Sequence, residues 1–251
     1  MNRADWEVRI EASLQALAIG YDERTAGRIA RYHELLTEWN ERMNLTGDTD
    51  FETSIDRHYM DSLAPLLVDG LFPISASVID VGSGAGFPGL PLAIARPDLQ
   101  VTLLDSLQKR IGFLSAVVEA LELTNVSLVH ARAEDGGRDA NYREAFDIAL
   151  ARAVAPLPVL CELLLPFAKV GGKMICYKGP SADTELEAGQ KAAQLVGGGE
   201  VNGIPIPIPS QPDWQHCVLL SEKIQETVRQ YPRKAGTPSR KPLGGFDKAI
   251  K

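Results

Sequence analysis

The residues best suited to chemistry form a glycine-rich turn. In the segment VIDVGSGAGFPG, which starts at Val78, an apolar β-rich run leads directly into Gly82, Gly84 and Gly86. Glycine adopts left-handed backbone conformations and lets a ligand approach the main chain closely. A strand that enters such a turn and continues into a helix is typical of nucleotide-cofactor sites. We predict an adenosine cofactor here, in preference to a glycine turn of purely structural use.

Acidic residues at the next two strand ends fit the same cofactor. Asp105 ends the second predicted strand about 20 residues beyond the glycines, where an acid accepts hydrogen bonds from ribose hydroxyls. The alternative is that Asp105 opens the turn before the helix that begins near Leu107. Ala133 and Glu134 follow the third strand, where they would contact the adenine base.

Two cofactor classes compete for this site. Gly84, Gly86 and Gly89 also satisfy the GxGxxG pattern of nicotinamide enzymes. In that register Pro88 stands where a helix should offer N–H groups to a pyrophosphate, and proline has none. This mismatch, together with a terminal antiparallel strand, favours a methyltransferase with S-adenosylmethionine over a dehydrogenase.

The carboxyl ends of predicted strands four and five each carry a cationic residue. Arg152 ends the fourth strand and Lys178 the fifth, which suits a phosphate-bearing substrate such as RNA. Arg152 could serve the cofactor instead, and either residue could be an ordinary surface cation. No cysteine ends strand four, so attack by a thiolate is disfavoured, although Cys176 on strand five leaves that alternative open.

The order of predicted elements explains how these residues are positioned. Strands alternate with helices from Val78 onward, and the last two strands have no helix between them. This order predicts an α/β class I methyltransferase fold, a Rossmann-like seven-stranded sheet of five parallel strands plus a C-terminal antiparallel pair, with an N-terminal helical cap. We expect three regions, 1–75 (helical), 76–225 (Rossmann-like methyltransferase domain) and 226–251 (basic tail).

Charge is distributed unevenly along the chain. The net charge is -7, yet residues 227–251 hold seven basic residues and only one acid, Asp247. Proline and glycine make this tail an extended segment in our prediction, separate from the fold, that holds RNA phosphates without affecting cofactor affinity. A solubilising tail is the alternative. The residues assigned to RNA are Arg229, Tyr231, Arg233, Lys234, Arg240 and Lys241.

Composition sets the remaining expectations. No apolar run is long enough for a membrane helix and no signal segment begins the chain, so we expect a cytoplasmic protein without a membrane partner. The three cysteines lack metal-ligand spacing, and we expect no metal.

Motifs along nearly the whole chain resemble the RsmG or GidB family of bacterial 16S ribosomal RNA guanine-N(7) methyltransferases. They include NLT from Asn44, RHYMDSL from Arg57, the glycine turn, LDSLQKR from Leu104, RAE from Arg132, ARA from Ala151, YKG from Tyr177 and YPRKAGTP from Tyr231. The resemblance implies methyl transfer from S-adenosylmethionine to guanine N(7) in the 530-loop region of the small-subunit RNA.

The resemblance also assigns site residues. It implies cofactor contacts by Gly82, Phe87, Ala133, Glu134 and Arg152, so the full cofactor set becomes Gly82, Ser83, Gly84, Phe87, Asp105, Ser106, Ala133, Glu134 and Arg152. Arg57, His58 and Asp61 lie about one helical turn apart, and the resemblance favours a place at the methyl acceptor over a solvated polar face. Together with Arg152 and Lys178 they form the predicted catalytic set.

One alternative comes from a different functional class. A non-catalytic RNA-binding or assembly factor could hold the cofactor as a structural ligand only. The complete glycine turn disfavours it. Guanine N(7) already carries an in-plane lone pair, so methylation there needs no general base, and the sequence shows no catalytic dyad.

Overall fold

A computed structural model describes residues 2–47, 49–152, 155–180 and 182–245. Seven strands form one sheet in the order β3-β2-β1-β4-β5-β7-β6. Their bounds are β1 Ser77–Val81, β2 Gln100–Asp105, β3 Val126–His130, β4 Phe146–Arg152, β5 Ala168–Lys178, β6 Gly198–Pro205 and β7 Cys217–Lys223. The predicted fold class, with seven strands near the expected positions, is confirmed.

Strand direction follows from the connections. Strands β2 and β3 are parallel, and so are the pairs β1–β4 and β4–β5, as expected where helices make the crossovers. Strand β7 runs antiparallel to both β5 and β6. The predicted antiparallel hairpin at the end of the sheet is therefore present.

Ten α-helical segments occur in the described part of the chain, several of them a single turn long. They are α1 Arg3–Leu17, α2 Thr25–Met43, α3 Phe51–Ser54, α4 Asp61–Leu63, α5 Gly89–Ala95, α6 Gln108–Ala120, α7 Ala133–Gly136, α8 Leu157–Leu164, α9 Leu186–Leu195 and α10 Thr237–Arg240. The third predicted N-terminal helix is composite, because a π-helical turn, Ile55–Met60, joins α3 to α4. No described helix is long and apolar enough to cross a membrane.

The chain divides into two compact units. The first comprises Met1–Ala76, Ser83–His130 and Ile206–Trp214, and the second comprises Ser77–Gly82, Ala131–Pro205 and Gln215–Lys251. The first unit thus takes in a short segment between β6 and β7. The predicted regions follow sequence order instead, and their boundaries stay a prediction.

Helices α1 and α2 bury one apolar face each in the first unit. Ile10 and Leu14 of α1 and Ile29, Tyr32 and Leu36 of α2 are completely buried. Apolar residues repeat at steps of three and four, which puts them on one stripe of each helix. These helices therefore provide a rigid frame for the residues that follow them.

Strand β4, which pairs with β1 and β5, is apolar over four consecutive residues. Ile148, Ala149, Leu150 and Ala151 of β4 are all fully buried. A parallel strand covered on both faces has this near-continuous apolar character. The side chains that end β4 and β5 are thus held on a rigid support.

The prediction that the basic tail is an extended segment separate from the fold is wrong for residues 231–240. Tyr231 is only 9% exposed, Pro238 is buried, and 237–240 form α10. Arg233 forms an ion pair with Glu162, whose side chain is fully buried. A buried carboxylate needs a partner, and the tail supplies it, which the count of charges alone could not indicate. Residues 246–251 of the predicted tail lie outside the described residues.

Candidate cofactor and RNA site

The glycine turn has the backbone that its sequence predicts. Gly82, Gly84 and Gly86 have φ values of 79°, 60° and 99°, which L side chains rarely adopt. The Ser83 N–H donates to the Leu104 carbonyl at 3.1 Å, which joins the turn to β2. A Cβ on Gly86 would clash with a methyl carbon of Leu90. Glycine is thus required at position 86 by both conformation and space.

The Asp105 carboxylate links the glycine turn to helix α6. It is 2% exposed, and its Oδ2 accepts the Gly84 N–H at 2.9 Å while Oδ1 accepts the Leu107 N–H at 2.9 Å. Arg110 adds an ion pair at 3.3 Å. The turn-opening role weighed from sequence is therefore present. A carboxylate has about four acceptor positions, so the three donors leave one on Oδ1, which suits a ribose hydroxyl.

Tyr32 contacts the glycine turn, which its place in the sequence did not predict. Its hydroxyl donates to the carbonyl oxygen of Ala85, the residue between two glycines of the turn. Its position in an apolar helical stripe indicates core packing. The available signal was its hydroxyl, because a fully buried tyrosine usually needs a hydrogen-bond partner.

Aromatic rings surround Phe87, which the resemblance assigns to the cofactor. The His58 ring stacks on Phe87 with centroids 4.7 Å apart, and the rings of Tyr32 and Tyr59 lie 5.4 and 5.5 Å from it. His58 Nε2 also lies 3.3 Å from Thr46 Oγ1. The structure therefore brings His58 to the glycine turn.

Arg57 and Asp61 occupy different surroundings. The exposed Arg57 places its guanidinium carbon 5.8 Å from the ring centroid of Trp214, a cation–π contact. Asp61 is 8% exposed and follows the π-helical turn, whose longer period departs from the 3.6-residue spacing used in the prediction. Convergence of Arg57, His58 and Asp61 on the methyl acceptor stays a prediction.

The segment 206–214 holds the π-helical turn. Asp56 is 6% exposed, and its carboxylate accepts Ser210 Oγ at 2.7 Å and Gln211 Nε2 at 3.0 Å. These partners are 154 and 155 residues away in sequence, so no local pattern indicated them. Asp56 and Trp214 together attach this segment to the helical turn that carries His58.

Ser106, Ala133, Glu134 and Arg152 complete the predicted cofactor set. Ser106 is exposed and its carbonyl oxygen lies 3.1 Å from His130 Nε2. Ala133 begins α7, and the Glu134 carboxylate, 9% exposed, accepts the Gly236 N–H at 2.7 Å. Arg152 is the half-buried last residue of β4.

Lys178 is engaged within its own unit. Its ammonium forms an ion pair with Glu185 at 2.7 Å and donates to the Ala155 carbonyl at 3.0 Å. Glu185 also accepts the Leu157 N–H at 2.6 Å, which organises the start of α8. The structure thus gives Lys178 a structural role at the position where sequence predicts a catalytic one.

Cys176 is a poor nucleophile in this fold. The thiol is completely buried, and burial raises its pKa to about 12. Because the thiolate is the reactive form, covalent attack by Cys176 is disfavoured at neutral pH.

The predicted RNA contacts fall into two groups. Arg229, Lys234, Arg240 and Lys241 are exposed. Tyr231 and Arg233 are packed into the second unit, where Tyr231 O accepts Arg143 Nη1 at 2.9 Å. Their prediction as free RNA contacts overlooked this packing.

The sheet order, the terminal antiparallel strand and the glycine turn define a Rossmann-like methyltransferase fold. A solved S-adenosylmethionine-dependent methyltransferase, SibL, superposes with a TM-score of 0.54 at 14% identity, covering 80% of this chain and 74% of that one. At 14% sequence identity, this similarity shows a shared fold and nothing about function.

Sequence comparisons are more specific. The family model of rRNA small subunit methyltransferase G matches residues 26–205. The ribosomal RNA small subunit methyltransferase G of Alkaliphilus metalliredigens is 45% identical over 91% of this chain and 95% of its own length. The enzyme of the same name from Lactobacillus delbrueckii subsp. bulgaricus is 48% identical over 84% and 89%. The chain belongs to the rRNA small subunit methyltransferase G family, which confirms the resemblance and sets aside the dehydrogenase and non-catalytic alternatives.

Proposed function

We propose that this enzyme transfers a methyl group from S-adenosylmethionine to N(7) of a guanine in the 530-loop region of 16S ribosomal RNA. Family membership supports the reaction class. The observation that carries the cofactor assignment is the Asp105 carboxylate, which fixes the glycine turn through Gly84 and the start of α6 through Leu107.

The chemistry of these residues fits the proposed cofactor. The acceptor position left on Asp105 Oδ1 would take a ribose hydroxyl, and the Phe87 side of the turn would contact the apolar part of the ligand. The carboxylate of Glu134, which is also largely buried, would accept a hydrogen bond from the adenine amino group. When bound, the cofactor supplies an electrophilic methyl group on a sulfonium. The residues of the chain bind and orient it.

The reaction needs no proton removed from its nucleophile. Guanine N(7) has a lone pair in the ring plane, so the task of the protein is to align donor and acceptor. Alignment of two reactants contributes roughly 7–11 kcal/mol to such reactions. His58 of the predicted acceptor set stacks on Phe87 of the glycine turn, and it would help to hold the guanine there.

The exposed tail cations support RNA as the partner. Arg229, Lys234, Arg240 and Lys241 lie within one short stretch of a chain whose net charge is -7. Phosphate contacts give affinity without base preference, which leaves base selection to the residues at the methyl acceptor. Arg152 would contact either the cofactor or the RNA.

Product analysis tests this proposal. Small subunits lacking the modification would be incubated with the purified protein and cofactor carrying a labelled methyl group. We expect labelled 7-methylguanosine in the nuclease digest, and strand cleavage at methylated guanine should place it in the 530 loop. Label on an exocyclic nitrogen, on another base or on another RNA region would contradict the proposal. Asp105→Asn, which should bind the cofactor at least tenfold more weakly, is the matched control and should incorporate less label when the cofactor concentration is limiting.

A further inference from the structure

The C-terminal strap, defined as residues 229–241, contacts a residue of the proposed cofactor site. The Gly236 N–H donates to Glu134 Oε1 at 2.7 Å. Glu134 is 9% exposed, and a buried carboxylate requires donors to offset its lost hydration. The contact spans 102 residues of sequence. The strap therefore determines how this carboxylate is held.

A buried ion pair anchors the strap beside Gly236. Glu162 of α8 is fully buried and receives the Arg233 backbone N–H at 2.7 Å, Arg233 Nε at 2.9 Å and Arg233 Nη2 at 2.6 Å. Bidentate, charge-assisted hydrogen bonds of this kind are short and geometrically specific. Arg138 Nε donates a hydrogen bond to the carbonyl oxygen of Pro232, the residue before Arg233, at 2.7 Å. These bonds fix the main chain three residues before Gly236.

Gly236 itself has a demanding conformation. Its φ is +77°, and it is the residue before helix α10. An added Cβ would find no atom nearer than 3.9 Å, so the space is open. Replacement by alanine would therefore act through backbone strain, roughly the cost of a left-handed residue, and not through a clash.

We propose that Gly236 is a positioning residue for base recognition, since its amide holds one oxygen of Glu134 so that the other faces the amino group of adenine. The inference rests on the proposed function, in which Glu134 contacts the cofactor base. It replaces the expectation that the tail leaves cofactor binding unaffected. A carboxylate fixed before the ligand arrives loses less conformational freedom on binding and discriminates more sharply.

A different account of the same contact gives a different result. If the Gly236–Glu134 hydrogen bond only anchors the strap, its loss lowers stability and leaves base preference unchanged. If it positions the carboxylate, the loss specifically reduces discrimination between a base that donates an amino hydrogen and one that does not. Base preference is therefore the informative measurement.

The experiment compares two ligands on the full-length protein. S-adenosylhomocysteine carries the amino group, and S-inosylhomocysteine has a carbonyl in its place. The ratio of their dissociation constants would be measured by calorimetry for the wild-type protein, Gly236→Ala and Glu134→Gln. We expect Gly236→Ala to lower the preference for the adenosine ligand about two- to tenfold, and Glu134→Gln to lower it at least as much.

Controls separate positioning from general strain. Gly171 has φ +83° with open space around it, so Gly171→Ala imposes similar strain elsewhere and should keep the wild-type ratio. Arg233→Lys keeps the charge but loses the bidentate geometry, and should lower the ratio in the same direction as Gly236→Ala. Arg96 also forms a bidentate pair, with Asp98. Arg96→Lys is therefore the matched control for Arg233→Lys and should leave the ratio unchanged.

The possible failures are distinguishable. If the wild-type protein binds neither ligand, the proposed cofactor is wrong. If the wild-type protein prefers the adenosine ligand and folded Gly236→Ala and Arg233→Lys keep the same ratio, the positioning role of the strap is wrong while the proposed function stands. Thermal unfolding of each variant establishes that it is folded, and Arg233→Lys provides the test if Gly236→Ala is not.

Discussion

The hydroxyl of Tyr32 donates a hydrogen bond to the carbonyl oxygen of Ala85, so a fully buried residue of helix α2 supports the backbone of the glycine turn. The ring of Tyr32 also lies 5.4 Å from that of Phe87 in the same turn. The N-terminal helices thus help to shape the proposed cofactor site as well as cover apolar surface.

Tyr32→Phe should therefore weaken cofactor binding. The phenyl ring retains the packing and the hydrogen bond to Ala85 is removed, which corresponds to about 0.5–1.5 kcal/mol or two- to tenfold in affinity. Calorimetry with S-adenosylmethionine measures the change. Tyr59→Phe removes a hydroxyl from the same aromatic cluster, where it contacts His33 Nδ1 at 3.1 Å, and should leave affinity nearly unchanged. Equal losses in both variants would contradict a specific role for Tyr32.

Asp105→Asn should have a larger effect. An amide cannot accept both the Gly84 and the Leu107 N–H groups, because one end of it is itself a donor. We expect at least tenfold weaker cofactor binding, since hydrogen bonds to a charged group are worth about 1.5–3 kcal/mol. Asp98→Asn removes a carboxylate paired with Arg96 in the same unit and serves as the control. Unaltered affinity in Asp105→Asn would show that the carboxylate is only structural.

Stability should fall between pH 6.5 and about 4 because of His33. Burial lowers the pKa of His33 from 6.5 to about 4. The unfolded chain takes up this proton near pH 6.5, whereas the native protein does not until the pH approaches 4. Stabilisation is therefore complete above the unfolded pKa and is lost as the pH falls through this window.

Urea unfolding at about pH 7.5 and about pH 5 measures this effect. The loss of unfolding free energy on acidification should be smaller in His33→Asn than in the wild-type protein. His130→Asn, a change at an exposed histidine, should behave like the wild-type protein. An unchanged loss in His33→Asn would mean that another group causes the acid sensitivity.

The exposed cations of the strap should set the salt dependence of RNA binding. Replacing Arg229, Lys234, Arg240 and Lys241 one at a time with glutamine should reduce the slope of log affinity against log salt by about one unit for each phosphate that is no longer neutralised. Lys191→Gln, at an exposed lysine of α9 paired with Glu187, is the control for a simple change of net charge. Fluorescence anisotropy with a 530-loop RNA gives the slopes. Slopes that do not differ from the control would remove these residues from the RNA interface.

Sequence predicted the parts of this protein that depend on local pattern. The alternation of strands and helices, the glycine turn and Asp105 after β2 all follow from short-range spacing, and the structure has them. The missing crossover helix before β7 likewise indicated that this strand runs antiparallel to its neighbours β5 and β6. Each of these signals lies within one element or one connection.

Residues whose partners are far away in sequence could not be predicted in this way. The role of Asp56 was not predicted, because its partners Ser210 and Gln211 follow it by more than 150 residues. Arg233 appeared to be a phosphate ligand because Glu162 is a buried acid inside an apolar helix, which no charge count reveals. The π-helical turn at 55–60 also escaped prediction, since a regular helical period was assumed for Arg57, His58 and Asp61.

The return of residues 206–214 to the first unit affects how the chain is made. A ribosome releases the N-terminal helices early, but the partners of the Asp56 carboxylate emerge only after most of the polypeptide has been synthesised. Until then this charged side chain stays hydrated and the unit lacks one of its three chain segments. The π-helical turn that carries His58 thus gains its last contacts late in translation. Nascent chains released before residue 206 should remain sensitive to proteases in their first helices, even though those helices were the first part to be translated.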